Sequence, residues 1–171
     1  VLDRSVSRLG ELDEQYRGQL RTVYSTAEAV EEHASEADLI IGAVLIPGAS
    51  APKLITAEML ADIKTGTVMV DVAIDQGGCF ETSRATTHAD PTYVVNGVVH
   101  YCVANMPGAA ARTATMALTN ATLPYIMRLA NENVSSLFAG DKHFAAGLNV
   151  ADGRLVHPAV AEALSDVAVP P

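Results

Sequence analysis

The sequence is poor in features that mark several classes of protein. It holds only two cysteines, Cys79 and Cys102, and neither lies in a CxxC pair or beside histidines at metal-ligand spacing. It has no basic run and a net charge of −9, which argues against nucleic acid and anionic membranes as partners. No segment approaches the ~20 continuous apolar residues of a membrane helix. We therefore expect a cytoplasmic protein with reduced thiols, no metal site and no membrane span.

Two catalytic signatures are also missing. No serine lies in a GxSxG context, so a nucleophile triad has no support. No GxGxxG motif occurs in the chain, although such a motif would precede the acidic residue of a dinucleotide-binding fold by ~20 residues. The chain starts with "VLDRS", which is typical of the end of a strand, and not with Met. We therefore expect the sequence to begin inside a domain.

The residues that are present suit a globular α/β domain. Of the 171 residues, 49% are apolar and 18% charged, enough for a buried core in one domain or one and a part. Uninterrupted apolar runs at 38–45 and 67–74 indicate strands buried on both faces of a parallel sheet. Strands are predicted at 1–3, 19–24, 38–45, 67–74 and within 96–108, and helices at 5–16, from Ser25 or Thr26 to 37, and at 56–64, 110–131, 141–147 and 158–165. This alternation predicts a Rossmann-like, doubly wound parallel sheet.

Polar residues that follow the predicted strands mark a candidate site. Asp75 follows the strand at 67–74 and opens a long loop, 75–92, of the kind that is often functional. Ligands of doubly wound sheets bind beyond the carboxyl ends of the strands, where an acid such as Asp3 can bind an adenosine ribose. Asn105 and Met106 end a later strand and are expected to face the same crevice. Alternatively, Asp3 only caps a helix, and Asp75 is a cap or part of a surface salt bridge.

Three long blocks of the sequence resemble the alanine dehydrogenase family in order and spacing. They are "ADLIIGAVLIPGASAPKLIT", "MVDVAIDQGGCFETSRATTHADPTY" and "YCVANMPGAAARTATMALTNATLPYI". The NAD-binding subunit of proton-translocating transhydrogenase shares the layout and is the alternative, but its segments equivalent to the acidic-glycine loop and to the stretch after the last strand read differently. A non-catalytic fragment or interaction protein is a further alternative.

The resemblance implies an NAD-dependent enzyme that converts L-alanine reversibly to pyruvate and ammonia by hydride transfer. It also implies a homo-hexamer. Residues 1–106 are then a partial NAD-binding domain that lacks the first strand and its glycine loop. Residues 107–171 are a helical segment that returns to the substrate domain. The family's catalytic histidine and substrate-binding residues lie outside this chain, so we expect the chain alone to be inactive.

The resemblance also assigns roles to residues of this chain. Asp75 is similar to the family's catalytic aspartate, and no residue is assigned to a metal. The residues implied to bind NAD are Asp3, Arg8, Ser25, Val44, Leu45, Val72, Ala73, Ile74, Asp75, Arg84, Val103, Ala104, Asn105 and Met106.

Overall fold

The computed structural model describes residues 1–44, 46 and 50–164, and it confirms an α/β fold with a mainly parallel sheet. The strands are β1 (Leu2–Asp3), β2 (Val23–Tyr24), β3 (Leu39–Gly42), β4 (Val68–Asp71), β5 (Thr92–Val95), β6 (Val98–Tyr101), β7 (Val150–Ala151) and β8 (Arg154–Leu155). The α-helices are α1 (Val6–Tyr16), α2 (Ala27–Glu36), α3 (Ala111–Asn131), α4 (Val134–Gly140), α5 (Lys142–Ala146) and α6 (Pro158–Ala163). Short 3₁₀ helices cover Met59–Ala61, Ile74–Gln76 and Met106–Ala110.

The chain divides into two compact units. The first comprises Val1–Leu45 and Ala51–Ala104, and the second comprises Ile46–Ser50 and Asn105–Pro171. The predicted assignment of 1–106 to a cofactor domain and of 107–171 to a segment of the substrate domain stays a prediction.

The first unit contains two sheets. Strands β1 and β2 pair in parallel, and a four-stranded sheet has the order β3-β4-β6-β5, with only β5 antiparallel. Among the described residues, no strand pairing joins the two sheets. Strand β3 is therefore at an edge of its sheet. That the domain lacks its first strand and glycine loop stays a prediction from the family resemblance.

The four-stranded sheet buries one face. Met69, Val98 and His100 on that face are fully buried. On the other face Leu39 and Ile41 are 56% and 61% exposed. The prediction that 38–45 is a strand buried on both faces is therefore wrong for the described residues. The strand ends at Gly42, and as an edge strand it alternates between a covered and an open face.

Helix starts were predicted better than helix lengths. Thr26 caps α2 by accepting a hydrogen bond from the Ala29 N–H at 3.1 Å, so Ser25, the other predicted cap, is not the cap. The predicted helix at 56–64 is wrong, because only the 3₁₀ turn Met59–Ala61 forms. A helix of so few residues is marginal in water, and tertiary packing decides its form. Here one turn is enough to bury Leu60.

Two hairpins were not predicted. Asn96 and Gly97 have φ values of 49° and 79°, and they join β5 to β6. Asp152 and Gly153, at 49° and 75°, likewise join β7 to β8. Two successive residues at positive φ are typical of two-residue hairpin turns. The predicted loop 75–92 consequently ends where β5 begins.

The second unit is mainly helical. Helix α3 confirms the predicted helix at 110–131, whereas α4 was not predicted. Arg128 of α3 forms ion pairs with Glu132 at 2.9 Å and Asp141 at 2.8 Å. Hydrogen bonds with these carboxylates raise the pKa of Arg128, and the bond from Arg128 lowers the pKa of Asp141. None of the described helices has both the length and the apolar character needed to cross a membrane.

Candidate functional site

Asp71, the last residue of β4, is a fully buried acid whose carboxylate organises the following turn. Its Oδ1 accepts a hydrogen bond from the Ala73 N–H at 3.0 Å, and its Oδ2 accepts one from the Cys79 N–H at 2.9 Å. The Ser83 hydroxyl also donates to Oδ2. The two backbone bonds fix both ends of the turn 73–79. Asp71 was missed from the sequence, although an acid inside the apolar run 67–74 was a signal.

Asp75 lies in this turn and not directly after a strand. The predicted strand 67–74 ends at Asp71, and Asp75 is the central residue of the 3₁₀ helix Ile74–Gln76. The Val72 N–H donates to the Gly42 carbonyl at 2.8 Å, which joins the ends of β4 and β3. Of the four implied cofactor residues here, the side chains of Val72 and Asp75 are exposed and those of Ala73 and Ile74 are buried.

The tip of the turn consists of two glycines at positive φ. Gly77 and Gly78 have φ values of 86° and 75°, and a Cβ on Gly78 would lie 2.7 Å from the Asp71 Oδ2. Lys53 approaches from a neighbouring segment, and its Nζ donates to the Gly77 carbonyl at 2.6 Å and to the Gly78 carbonyl at 2.7 Å. The turn that carries Asp75 is therefore bound at its base and at its tip.

The thiol of Cys79 belongs to the same buried cluster. Burial, followed by the nearby charge of Asp71, raises the pKa of Cys79 to about 12. The thiol is neutral at physiological pH, and its Sγ donates to the Asp71 Oδ1 at 3.4 Å. Cys79 consequently serves as a hydrogen-bond donor and not as a nucleophile.

Arg84 lies on a second polar cluster. Its guanidinium carbon is 3.9 Å from the centre of the Tyr93 ring, and its backbone N–H donates to the Tyr93 hydroxyl at 2.8 Å. The Tyr93 ring also stacks on His100 with centroids 4.9 Å apart. His100 is held at Nδ1 by the Val98 carbonyl at 3.1 Å and at Nε2 by the Thr82 hydroxyl at 2.8 Å. The position of Arg84 thus depends on residues of β5 and β6.

The implied adenosine-side residues lie on the other sheet. Asp3 and Ser25 lie at the ends of the paired strands β1 and β2, and the Ser25 N–H donates to the Asp3 carbonyl at 3.0 Å. The Asp3 carboxylate accepts from the Ser5 N–H at 2.7 Å, but Ser5 is the residue that caps α1, so the predicted alternative that Asp3 is the helix cap is wrong. Arg8 is exposed on α1 and pairs with Glu11 at 2.9 Å.

The remaining implied residues fall in several places. Val44 is half-buried beyond the end of β3, and Leu45 lies outside the described residues. Val103 is buried, and the exposed Ala104 donates its N–H to the Thr86 carbonyl at 3.1 Å. Asn105 and Met106 belong to the second compact unit. No group of His, Cys, Asp or Glu side chains within residues 1–44, 46 and 50–164 could hold a metal ion.

Comparison with known sequences gives a consistent set of relatives. A family model described as alanine dehydrogenase/PNT, C-terminal domain, matches residues 1–158. An alanine dehydrogenase of Halomonas elongata is 68% identical over 163 residues, which cover 95% of this chain and 44% of the relative. An alanine dehydrogenase of Mycolicibacterium smegmatis is 50% identical over 164 residues, with 96% and 44% covered. The chain thus spans less than half the length of these curated relatives.

Comparison with solved structures agrees. An L-alanine dehydrogenase structure superposes with a TM-score of 0.80 at 49% identity, covering 98% of this chain and 46% of that chain. A transhydrogenase from Sinorhizobium meliloti superposes with a TM-score of 0.67 at 28% identity, covering 92% and 42%. With a family model matched over residues 1–158, the chain belongs to the alanine dehydrogenase/PNT family and corresponds to its C-terminal domain.

Proposed function

We propose that this chain is the C-terminal portion of an NAD-dependent L-alanine dehydrogenase. The observation that carries the proposal is the 68% identity over 163 residues to a protein named alanine dehydrogenase. The rival transhydrogenase function is supported by a structural match at only 28% identity. The complete enzyme would oxidise L-alanine to pyruvate and ammonia and would catalyse the reverse amination.

This chain contains some of the residues that a nicotinamide dinucleotide site needs. Asp3 offers a half-buried carboxylate at the end of β1, where a ribose diol can donate hydrogen bonds to it. A 2′-phosphate would meet a like charge there, which favours NAD over NADP. The exposed Val72 offers an apolar surface after β4. When bound, NAD accepts a hydride at its nicotinamide ring, and the glycine loop for its pyrophosphate would lie in the rest of the enzyme.

Asp75 is the residue of this chain that we assign to the chemistry. The ammonium form of L-alanine loses a proton from nitrogen and a hydride from Cα, which leaves an iminium ion. Water adds to this ion, and pyruvate forms as ammonia and a proton leave. The exposed carboxylate of Asp75 would orient the water or ammonia and balance the positive charge of the iminium ion. General acid–base groups contribute ~10²–10⁴-fold in such steps. We assign most of the proton transfer to a histidine in the substrate domain.

The second unit has exposed apolar side chains that suit packing against another domain. Met116, Leu118 and Ile126 on α3 are exposed large apolar side chains, as expected of a surface that packs against another domain. We propose that α3 packs on the substrate domain of the complete enzyme. A homo-hexameric state and a cytoplasmic location stay predictions from the family resemblance.

The test is the substitution Asp75→Asn in the complete enzyme. The complete enzyme is this chain together with the N-terminal portion that its full-length relatives contain. The amide keeps the size of the side chain but removes its charge, so kcat should fall by about 100-fold or more while the Kd for NAD changes little. Asp62→Asn, at another exposed aspartate, is the matched control. If Asp75→Asn has the turnover of the wild type, Asp75 has only a structural role.

A further inference from the structure

The turn that carries Asp75 has a tip formed by two glycines. Gly77 and Gly78 follow in succession, and glycine has the largest conformational freedom of any residue. Both adopt positive φ, at 86° and 75°. Because Asp75 is separated from this Gly-Gly tip by one residue, a loosened tip would change the position of its carboxylate. The folded protein must therefore restrain the tip if Asp75 is to be held in one place.

The base of the turn is restrained from the protein interior. Asp71 binds the N–H groups of Ala73 and Cys79, one at each end of the turn. These contacts do not reach the carbonyl groups at the tip. The N–H groups of Gly77 and Gly78 donate to the Ile74 and Ala73 carbonyls within the turn, each at 3.0 Å. The carbonyls of both glycines accept from the Lys53 ammonium, at 2.6 and 2.7 Å. Hydrogen bonds from a charged donor at such distances are roughly twice as strong as neutral ones.

Lys53 is itself held in place by its neighbours. The Ala51 N–H donates to the Gln76 carbonyl at 3.0 Å, and the Leu54 N–H donates to the Cys79 carbonyl at 2.7 Å. The backbone on both sides of Lys53 is thus bonded to the turn that its side chain contacts. Because Lys53 is exposed, its ammonium should contribute little to the free energy of folding.

We propose that Lys53 is a positioning residue for Asp75, which holds the Gly77–Gly78 tip and so fixes the catalytic carboxylate relative to the substrate. The inference rests on the proposed function. A lysine that only stabilised the fold would affect the melting temperature. A positioning lysine affects the rate of the chemical step, because a misplacement of about 1 Å can cost roughly 100-fold.

The experiment compares three variants of the complete enzyme. Lys53→Met removes the ammonium, Lys53→Arg retains a charged donor that can reach both carbonyls, and Lys64→Met is the matched control. Lys64 is also an exposed lysine that donates to a backbone carbonyl, that of Glu36, but it lies outside the turn. Steady-state kinetics with L-alanine, NAD affinity and melting temperature are measured for each.

Lys53→Met should lower kcat and kcat/KM for L-alanine together by about 10-fold or more, with NAD affinity and melting temperature equal to those of Lys64→Met. Lys53→Arg should recover most of the loss. Equal kcat in Lys53→Met and Lys64→Met would overturn the inference, as would a loss confined to melting temperature. A wild-type enzyme without L-alanine-dependent NAD reduction would instead overturn the proposed function.

Discussion

Asp3 is the last residue of β1 and Asp75 lies in the turn that follows β4, and the proposed enzyme uses the two carboxylates differently. Asp3 should select the cofactor, because its charge accepts from a ribose hydroxyl and repels a 2′-phosphate. Asp3→Ala in the complete enzyme should raise the Kd for NAD and reduce the preference for NAD over NADP. Asp13→Ala, at an exposed aspartate of α1, is the control. Calorimetric titration with both cofactors measures the effect, and equal affinity of the wild-type protein for NAD and NADP would contradict it.

Single residues were predicted from the sequence with uneven success. Asp75 stood out because it follows the apolar run 67–74 and opens a long loop, but its position in a 3₁₀ turn was not visible. Asp71 was hidden, because its role depends on the N–H groups of Ala73 and Cys79 folding back onto it. Lys53 was also missed, since its partners lie 24 and 25 residues along the chain. Non-local hydrogen bonds leave no periodic pattern in a sequence.

At the scale of elements, the β5–β6 hairpin contains a buried titratable group. Burial is the main cause that lowers the pKa of His100 from its ordinary 6.5, and the charge of Arg84 adds to it. As the pH falls below about 6.5, the unfolded chain takes up a proton before the folded one does. The stability from neutral His100 is therefore present above pH 6.5 and is lost as the pH falls towards the lower pKa of the folded state.

This linkage predicts a pH-dependent melting temperature. Between pH 7.5 and pH 5.5 the wild-type enzyme should lose more stability than His100→Asn, with a slope of at most about 1.4 kcal/mol per pH unit from one proton. His143→Asn, at an exposed histidine, should behave like the wild type. Scanning calorimetry at several pH values is the measurement. The same pH dependence in wild type and His100→Asn would show that another group is responsible.

Elements with strong local signals were predicted and those set by packing were not. The helical spacing of apolar residues predicted α1, and the uninterrupted apolar run predicted β4. The turn at Asn96–Gly97 had a recognisable sequence but was read as the start of a strand, so β5 was missed. The segment 56–64 was predicted to be a helix capped by Thr56. The Thr56 hydroxyl does accept a hydrogen bond from the Met59 N–H at 3.3 Å, but only the 3₁₀ turn Met59–Ala61 follows.

At the scale of the whole molecule, the fold class followed from the alternation of strands and helices. The exposure of one face of β3 could not be predicted, because the apolar pattern of 38–45 does not show which neighbouring elements cover the strand. Leu39 and Ile41 are exposed in this chain, which spans 44% of the length of its Halomonas relative. We propose that the complete enzyme covers β3 with the remaining portion. The activity would likewise require both portions.

We propose that this chain supplies one side of the cofactor and substrate site of an alanine dehydrogenase. The measurement that tests this proposal is the initial rate of NADH formation from L-alanine, compared between the complete enzyme and residues 1–171 alone. We expect a rate that depends on L-alanine and NAD in the complete enzyme and none in the isolated chain, because positioning alone can lower a barrier by about 7–11 kcal/mol and requires both sides of the site. No activity in the complete enzyme, or alanine-dependent NADH formation by residues 1–171 alone, would contradict the claim.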